Sequence, residues 1–219
     1  MLRGMDAEAD PRLVDYDRLA ARLKTVYEDE YMMVVNKPSG LLSVPGKEFL
    51  PSVESLTGCL SVHRLDQDTG GLLVLAKNTE VQRELRRQFE QRLVEKRYEA
   101  LLEHEQPVAD AGGEIRLPLR PDIDNRPRQV VDMELGKTAV TQYRVLENVD
   151  GHARLWLYPH TGRTHQLRVH CAEALGNPIL GDRLYGHCPA PRLMLHAVEL
   201  AFLHPVTGEP MRFTCTPEW

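Results

Sequence analysis

The sequence predicts an α+β protein with a mixed, largely antiparallel sheet. Two observations carry this: strand-like stretches greatly outnumber helical patterns, and they do not alternate with helices as in βαβ units. Taken in order, residues 1–25 hold few large apolar side chains and many charges, and are expected to form a peripheral arm or a surface helix. A single larger domain is then expected over 26–219. Tyr31–Asn36 is an apolar run broken by Lys37-Pro38-Ser39-Gly40, a strand followed by a loop. Leu72-Leu73-Val74-Leu75-Ala76 reads as a buried strand. A helix follows, with Thr79-x-x-Gln82 as its capping box and Val81, Leu85 and Phe89 on one face. Its Arg83, Arg86 and Arg87 are expected on a solvated face with Glu80, Glu84 and Glu90.

Lys96–Leu102 reads as a strand and Gln106–Gly113 as a Pro/Gly loop. Thr138–Leu146 and Ala153–Tyr158 are strands around the turn Asn148-Val149-Asp150-Gly151. A second helix is expected with Thr164 as N-cap, passing through Leu167, Cys171, Ala174 and Leu175 and ending at Gly176. Leu193–Leu203 and Met211–Thr214 close the chain as strands around His204–Gly208.

The 219 residues, 27% charged and 42% hydrophobic, are those of a water-soluble globular domain. No apolar run nears the roughly 20 residues of a membrane span, and the acidic N-terminus lacks a signal-peptide core. Cys59, Cys171, Cys188 and Cys215 show no CxxC spacing, so reduced thiols and a cytoplasmic location are expected. The net charge of −5 would not by itself suggest a polyanionic partner. Its distribution is uneven, however. Residues 1–31 are net acidic, whereas 154–192 carry Arg154, Arg163, Arg168, Arg183 and Arg192 against only Glu173 and Asp182.

His63-Arg64-Leu65-Asp66-Gln67-Asp68-Thr69-Gly70-Gly71 concentrates chemistry just before the buried strand. A carboxylate in a turn at the mouth of a rigid strand is well exposed for catalysis. Taken alone, the same residues are better described as a solvated turn whose glycines supply positive φ. The longer pattern decides between these. This segment resembles the HRLDxxTSG signature of the RluA-type pseudouridine synthases, with Asp66 at the position of the catalytic aspartate. Asn36–Leu41, Lys96-Arg97-Tyr98-Glu99-Ala100, Thr161–His170 and Gly176–Asp182 are similar to further motifs of that family, in the family's order, from about residue 26 onward. Gly70 departs from the pattern by standing where the family usually has serine.

The resemblance implies a long mixed sheet crossed by a catalytic cleft, and conversion of uridine to pseudouridine in RNA with no cofactor. In agreement, the chain carries no GxGxxG or Walker loop. It further implies Asp66, Tyr98 and Arg168 as catalytic residues, with Arg168 as the ion-pair partner of Asp66. Tyr98 would stack on the target base, its hydroxyl available for proton traffic at C5. His63, Arg64, Thr69 and Leu167 would bind substrate, Arg64 as a wedge where the base has left the stack. Whether Asp66 attacks C1′ or removes the 2′ proton is open. No S4-type RNA-binding domain is expected. Leu117-Pro118-Leu119 and Asn125-Arg126-Pro127-Arg128-Gln129 most resemble the single-domain branch acting on large-subunit rRNA and the tRNA anticodon stem-loop. Arg126, Arg128 and Arg163 would then touch RNA, although Arg126 and Arg128 equally suit an exposed basic loop. A monomer without a protein partner is expected. The spacings of His160, His165, His170, Cys171, His187 and Cys188 match neither HExxH nor a zinc ribbon, so no metal is expected. Two rival readings are a non-catalytic RNA-binding or ribosome-assembly protein on this fold and a glycosidic hydrolase. The hydrolase would need a second carboxylate facing Asp66, which Asp68 need not be.

Overall fold

The computed structural model describes residues 16–46, 50–106, 112–217 and 219. The strands, in chain order, are β1 (Lys24–Glu28), β2 (Met32–Lys37), β3 (Leu60–Ser61), β4 (Gly70–Ala76), β5 (Glu95–Leu101), β6 (Gly112–Arg116), β7 (Leu119–Pro121), β8 (Gln129–Val131), β9 (Val140–Val149), β10 (His152–Pro159), β11 (Leu195–Leu203) and β12 (Pro210–Thr214). The helices are α1 (Tyr16–Ala21), α2 (Val53–Thr57), α3 (Thr79–Glu90) and α4 (Gln166–Val169), the last running into a π-helical segment, His170–Ala174.

The mixed sheet expected from the strand pattern is the frame of the molecule. Its order is β1-β2-β4-β11-β5-β10-β9-β6, with β3 also on β4 and β12 also on β11. The β4–β11 pair is parallel and the others are antiparallel. β7 and β8 form a separate hairpin. β4 is central and buried along its whole length, which is why its sequence is a continuous apolar run rather than an alternating one. Leu72, Val74 and Ala76 pack with Val81 and Leu85 of α3, while Leu73 and Leu75 join a second cluster with Val35, Leu41, Val53 and Leu65.

Several expectations need correction. The cap of α3 is Asn78, not Thr79: its side chain accepts from Val81 N. Arg87 pairs with Glu84 as expected, but Arg86 reaches the Ser61 carbonyl. The second helix starts later than Thr164, because His165 adopts a left-handed conformation (φ 53°) immediately before Gln166. Gln166 then folds back, its Oε1 accepting from Arg163 N and the Thr161 hydroxyl. The β9–β10 turn is tighter than expected, since only Asp150 and Gly151 leave the ladder, both at positive φ. β1, β3, β6, β7, β8 and α2 lie outside the expected elements and are short or lie in polar sequence, whereas α1 is a surface helix of the kind expected within 1–25. The arm expected over 1–25 lies largely outside the described residues, and its end forms α1 and the start of β1. Residues 107–111 of the expected loop also lie outside them.

The register joins the motifs. Gly71 on β4 pairs with Ala197 on β11, Ala197 with Tyr98 on β5, and Tyr98 with Leu157 on β10. Strands about 4.8 Å apart thus carry Tyr98 to within two strand spacings of the 63–71 turn. The alignment requires glycine at 71, where φ is +113° and a Cβ would lie 2.4 Å from the Ala197 backbone N and O. Gly71→Ala is therefore expected to destabilise the protein by about 3 kcal/mol or more, as strained overpacking does. Urea unfolding checks this; a midpoint equal to wild type would show that the β4–β11 contact yields freely.

Candidate active site

The turn before β4 is held from behind. Thr69 N donates to the Asp66 carbonyl (3.1 Å), closing a turn with Asp66 at its first position. The Lys37 ammonium, fully buried, donates to the carbonyls of Pro38 (3.2 Å), Leu41 (2.7 Å) and Gln67 (2.9 Å). Burial lowers its pKa to about 7, against the opposing pull of Asp68 and Asp66. Three carbonyls match the three donors of an ammonium and satisfy it. Ser39 Oγ donates to the Asp68 carbonyl (2.6 Å), Ser43 Oγ donates to the Leu65 carbonyl (2.8 Å), and Gly40 N donates to Gln67 O (2.9 Å). The Asn36–Leu41 segment, recognised in the sequence only as a motif, is thus, with Ser43, the clamp of the Asp66 turn.

From the front, the turn meets Arg168. Arg168 Nη1 lies 3.8 Å from Asp66 Oδ2, so the two charges face each other beyond hydrogen-bond length. The principal partner of Arg168 is instead Asp182: Nε donates to Oδ2 (2.7 Å) and Nη2 to Oδ1 (2.6 Å). Arg168 thus faces two carboxylates, the expected Asp66 and, at shorter range, Asp182. Asp182 was visible in the sequence as part of the Gly176–Asp182 motif, but nothing there linked it to Arg168. Its Oδ1 also accepts Leu184 N and Tyr185 N, so this wholly buried carboxylate is satisfied by four donors. The bidentate fork fixes the guanidinium plane and leaves Nη1 directed at Asp66. Tyr185, also missed, lies under Arg168 at 5.2 Å. Its hydroxyl accepts from Gln129 N (2.7 Å) and pairs with His165 Nδ1 (2.8 Å).

Asp66, with 22% of its side chain exposed, opens onto a cleft of about 870 Å³. Arg64, Thr69, Tyr98, Arg163, Leu167 and Arg168 share its wall, so the structure brings most of the expected site together. Arg64 and Arg163 are exposed, whereas Thr69 and Leu167 are buried. Arg163 Nε donates to the Thr138 carbonyl (3.0 Å). Burial, and secondarily the Asp66 carboxylate, raises the Tyr98 pKa beyond the ordinary phenol range. Leucines on both sides of the tyrosine's strand and α4 supply that burial.

Two expected binding residues differ from expectation. His63 lines the cleft wall, but its Nε2 accepts from Val74 N (3.2 Å) and its ring stacks on Phe89 at 4.4 Å. It serves the sheet before it serves a ligand. Arg128 is not free in a basic loop: it donates to the Leu184 carbonyl and covers the Tyr185 ring at 4.9 Å. Arg126 is exposed beside Pro127, which lines a smaller pocket with Arg64, Asp66 and His165. Gly70, the departure from the family motif, leaves room for His196: a Cβ there would lie 2.7 Å from the imidazole Nδ1. Among the described residues, no helix is long and apolar enough to cross a membrane.

Comparison with known proteins agrees with this geometry. The family model for RNA pseudouridylate synthases matches residues 31–173. The dual-specificity RNA pseudouridine synthase RluA of Haemophilus influenzae is 44% identical over 220 residues, covering 94% of this chain and 99% of that protein. RluA of Escherichia coli K12 is 48% identical over 204 residues, covering 87% and 91%. Among solved structures, human RNA pseudouridylate synthase domain containing 1 aligns with a TM-score of 0.75 at 31% identity, covering 91% of this chain and 84% of that one. Human RNA pseudouridylate synthase domain containing 4 gives 0.71 at 27%, covering 93% and 91%.

The environment of His63 has a consequence for pH. Burial, assisted by Lys96, lowers its pKa from 6.5 to about 3, consistent with an Nε2 that must accept rather than donate. Between those values the unfolded chain binds the extra proton, so stability falls as pH drops through that window. His63→Gln keeps an acceptor for Val74 N but removes the titration. Its urea midpoint should fall less steeply than wild type between pH of about 6.5 and about 4. Parallel slopes would contradict a protected neutral imidazole.

Proposed function

The chain belongs to the RNA pseudouridylate synthase family, and from that premise we propose how it works and on what. It is an RNA pseudouridine synthase, an isomerase: the C1′–N1 bond of uridine breaks, the uracil turns, and a C5–C1′ bond forms. In our reading Asp66 is the catalytic carboxylate. The single observation that carries this is its position at the cleft mouth, 3.8 Å from an Arg168 guanidinium already oriented by Asp182. Such a cation orients the carboxylate that acts in either route, attack on C1′ or removal of the 2′ proton.

Tyr98 stacks on the base that has left the RNA and lends its hydroxyl as a donor. Burial and the Asp66 carboxylate raise its pKa, which keeps the phenol in its neutral, donating form. Leu167 packs against the uracil and Thr69 holds the turn. Arg64, exposed at the rim of both pockets, fills the gap in the RNA, and Arg163 and Arg126 meet phosphates. Arg128 supports the hairpin from which Arg126 projects.

The substrate we propose is a structured stem-loop, in large-subunit rRNA, in the tRNA anticodon arm, or in both. The dual-specificity relatives and the 125–129 segment support this, as does a wedge that works best where unpairing is easy. The enzyme acts in the cytoplasm as a monomer. A minimal stem-loop of about 17 nucleotides should be modified nearly as well as intact tRNA, with binding that weakens steeply with salt. Asp66→Asn should bind the same stem-loop with little loss, yet show no more than a few per cent of the wild-type single-turnover rate. Activity confined to assembled ribosomal subunits would contradict the substrate; a fast Asp66→Asn enzyme would contradict the assignment of the carboxylate.

A further inference from the structure

Away from the cleft, where β5 ends, the chain builds a second cluster of metal-type donors. Glu103, His104 and Cys188 each offer one ligand atom, and these atoms lie within 4.8 Å of one another. None of the three lines the cleft. The cluster is assembled from sequence positions 84 and 85 residues apart, which no spacing motif would reveal. It shares only Cys188 with the set of histidines and cysteines that invites a metal reading in the sequence.

Glu103 is the informative member. The residue is 2% exposed, and its Oε1 accepts from His187 N (2.5 Å) and Cys188 N (2.7 Å). Its other oxygen, Oε2, is also buried but has no hydrogen-bond partner among the described residues. No salt bridge to Glu103 occurs among them either. An ionised carboxylate oxygen in that position carries a desolvation cost unless a cation or a proton meets it. The surroundings are built to keep the carboxylate there. A Cβ at Gly186 would lie 2.6 Å from Oε1. The backbone around it is fixed as well: Glu103 N donates to Pro178 O, His104 N to Asn177 Oδ1, and Asn177 Nδ2 to His104 O.

We propose that Glu103, His104 and Cys188 bind one zinc ion. A carboxylate, an imidazole and a thiolate on a half-exposed rim match zinc's preference for mixed nitrogen, sulfur and oxygen ligands, with solvent in the fourth position. Zinc–ligand bonds of about 2.0–2.3 Å place tetrahedral ligand atoms roughly 3.3–3.7 Å apart, well inside the 4.8 Å limit, and the exposed His104 side chain can supply the closure. On binding, the Cys188 sulfur gives its proton to solvent and forms the Zn–S bond; no redox change occurs. The ion would fasten Cys188, the far end of the loop that begins at Asp182, to the end of β5.

The test uses the full chain, stripped with a chelator and kept reduced. Zinc is titrated in competition with a chromophoric chelator, and cobalt is added separately as a spectroscopic probe. One equivalent of zinc is expected, with a thiolate-to-cobalt charge-transfer band and protection of Cys188 from alkylation. His104→Ala and Cys188→Ser, which alter exposed or half-exposed side chains and not the Glu103 hydrogen bonds, should each weaken zinc by roughly tenfold or more and abolish or alter the band. Both variants should retain pseudouridine formation in the absence of added zinc, showing that they fold. Absence of zinc binding by the wild type would overturn the proposal. Equal binding by the wild type and both variants would do so too, assigning the metal to other surface groups.

Discussion

The buried Arg168–Asp182 pair is the contact on which the rest of the site depends. Removing two charges from water costs several kcal/mol each, and the structure offsets that only because the geometry is bidentate and every oxygen of Asp182 is used. One carboxylate thereby fixes three things. It orients the guanidinium, it turns the 182–185 backbone so that Tyr185 lies under Arg168, and it ties α4 to the loop after Ile179. The left-handed His165 and the π-helical segment at 170–174 bracket the short helix that carries Arg168. Irregular helical geometry of this kind is frequent at functional sites.

Asp66 therefore sits between two cations with different tasks. Lys37 grips the backbone of its turn from within the fold, through carbonyls rather than through the carboxylate. Arg168 faces the carboxylate itself at 3.8 Å. The main chain is rigid while the side chain stays accessible to the cleft. A catalytic group needs both properties, because small displacements from a productive geometry cost large factors in rate. The sheet supplies the remaining coordinate, since the Gly71–Ala197–Tyr98 register sets how far the tyrosine ring is from the carboxylate.

Much of this was legible in the sequence. β4 announces itself as an unbroken apolar run, α3 by the spacing of Val81 and Leu85, and the β9–β10 hairpin by Asp150-Gly151. The short strands β6 to β8 were not legible, because they are only three to five residues long and owe their structure to pairing. The helix at Gln166 was displaced by a left-handed histidine that the local apolar pattern does not signal. At the site, Asp66, Tyr98 and Arg168 were visible through motifs, and the structure gathers them around one cleft. What spacing could not give was who holds whom. The partner of Arg168 is 14 residues away across a loop, and the ammonium of Lys37 clamps a turn 30 residues away. Those are properties of the folded chain, not of any local pattern. The same holds for His63 and Arg128, whose residue types suggested ligand contacts but whose nitrogens are engaged by Val74 and Leu184.

Asp182, which does not line the cleft, governs Asp66 through Arg168 if the anchored guanidinium is what positions the carboxylate. The most direct measurement is the single-turnover rate of pseudouridine formation by Asp182→Asn at saturating enzyme, alongside its RNA affinity and its circular dichroism. An asparagine retains one acceptor and nearly the same volume, so the variant should stay folded, though less stable by about 3–5 kcal/mol, while the guanidinium loses its fixed plane. We expect a rate lowered by about 100-fold, the scale of an approximately 1 Å misplacement, with RNA affinity close to wild type. A folded Asp182→Asn enzyme that reacts at the wild-type rate would show that Arg168 needs no such anchor.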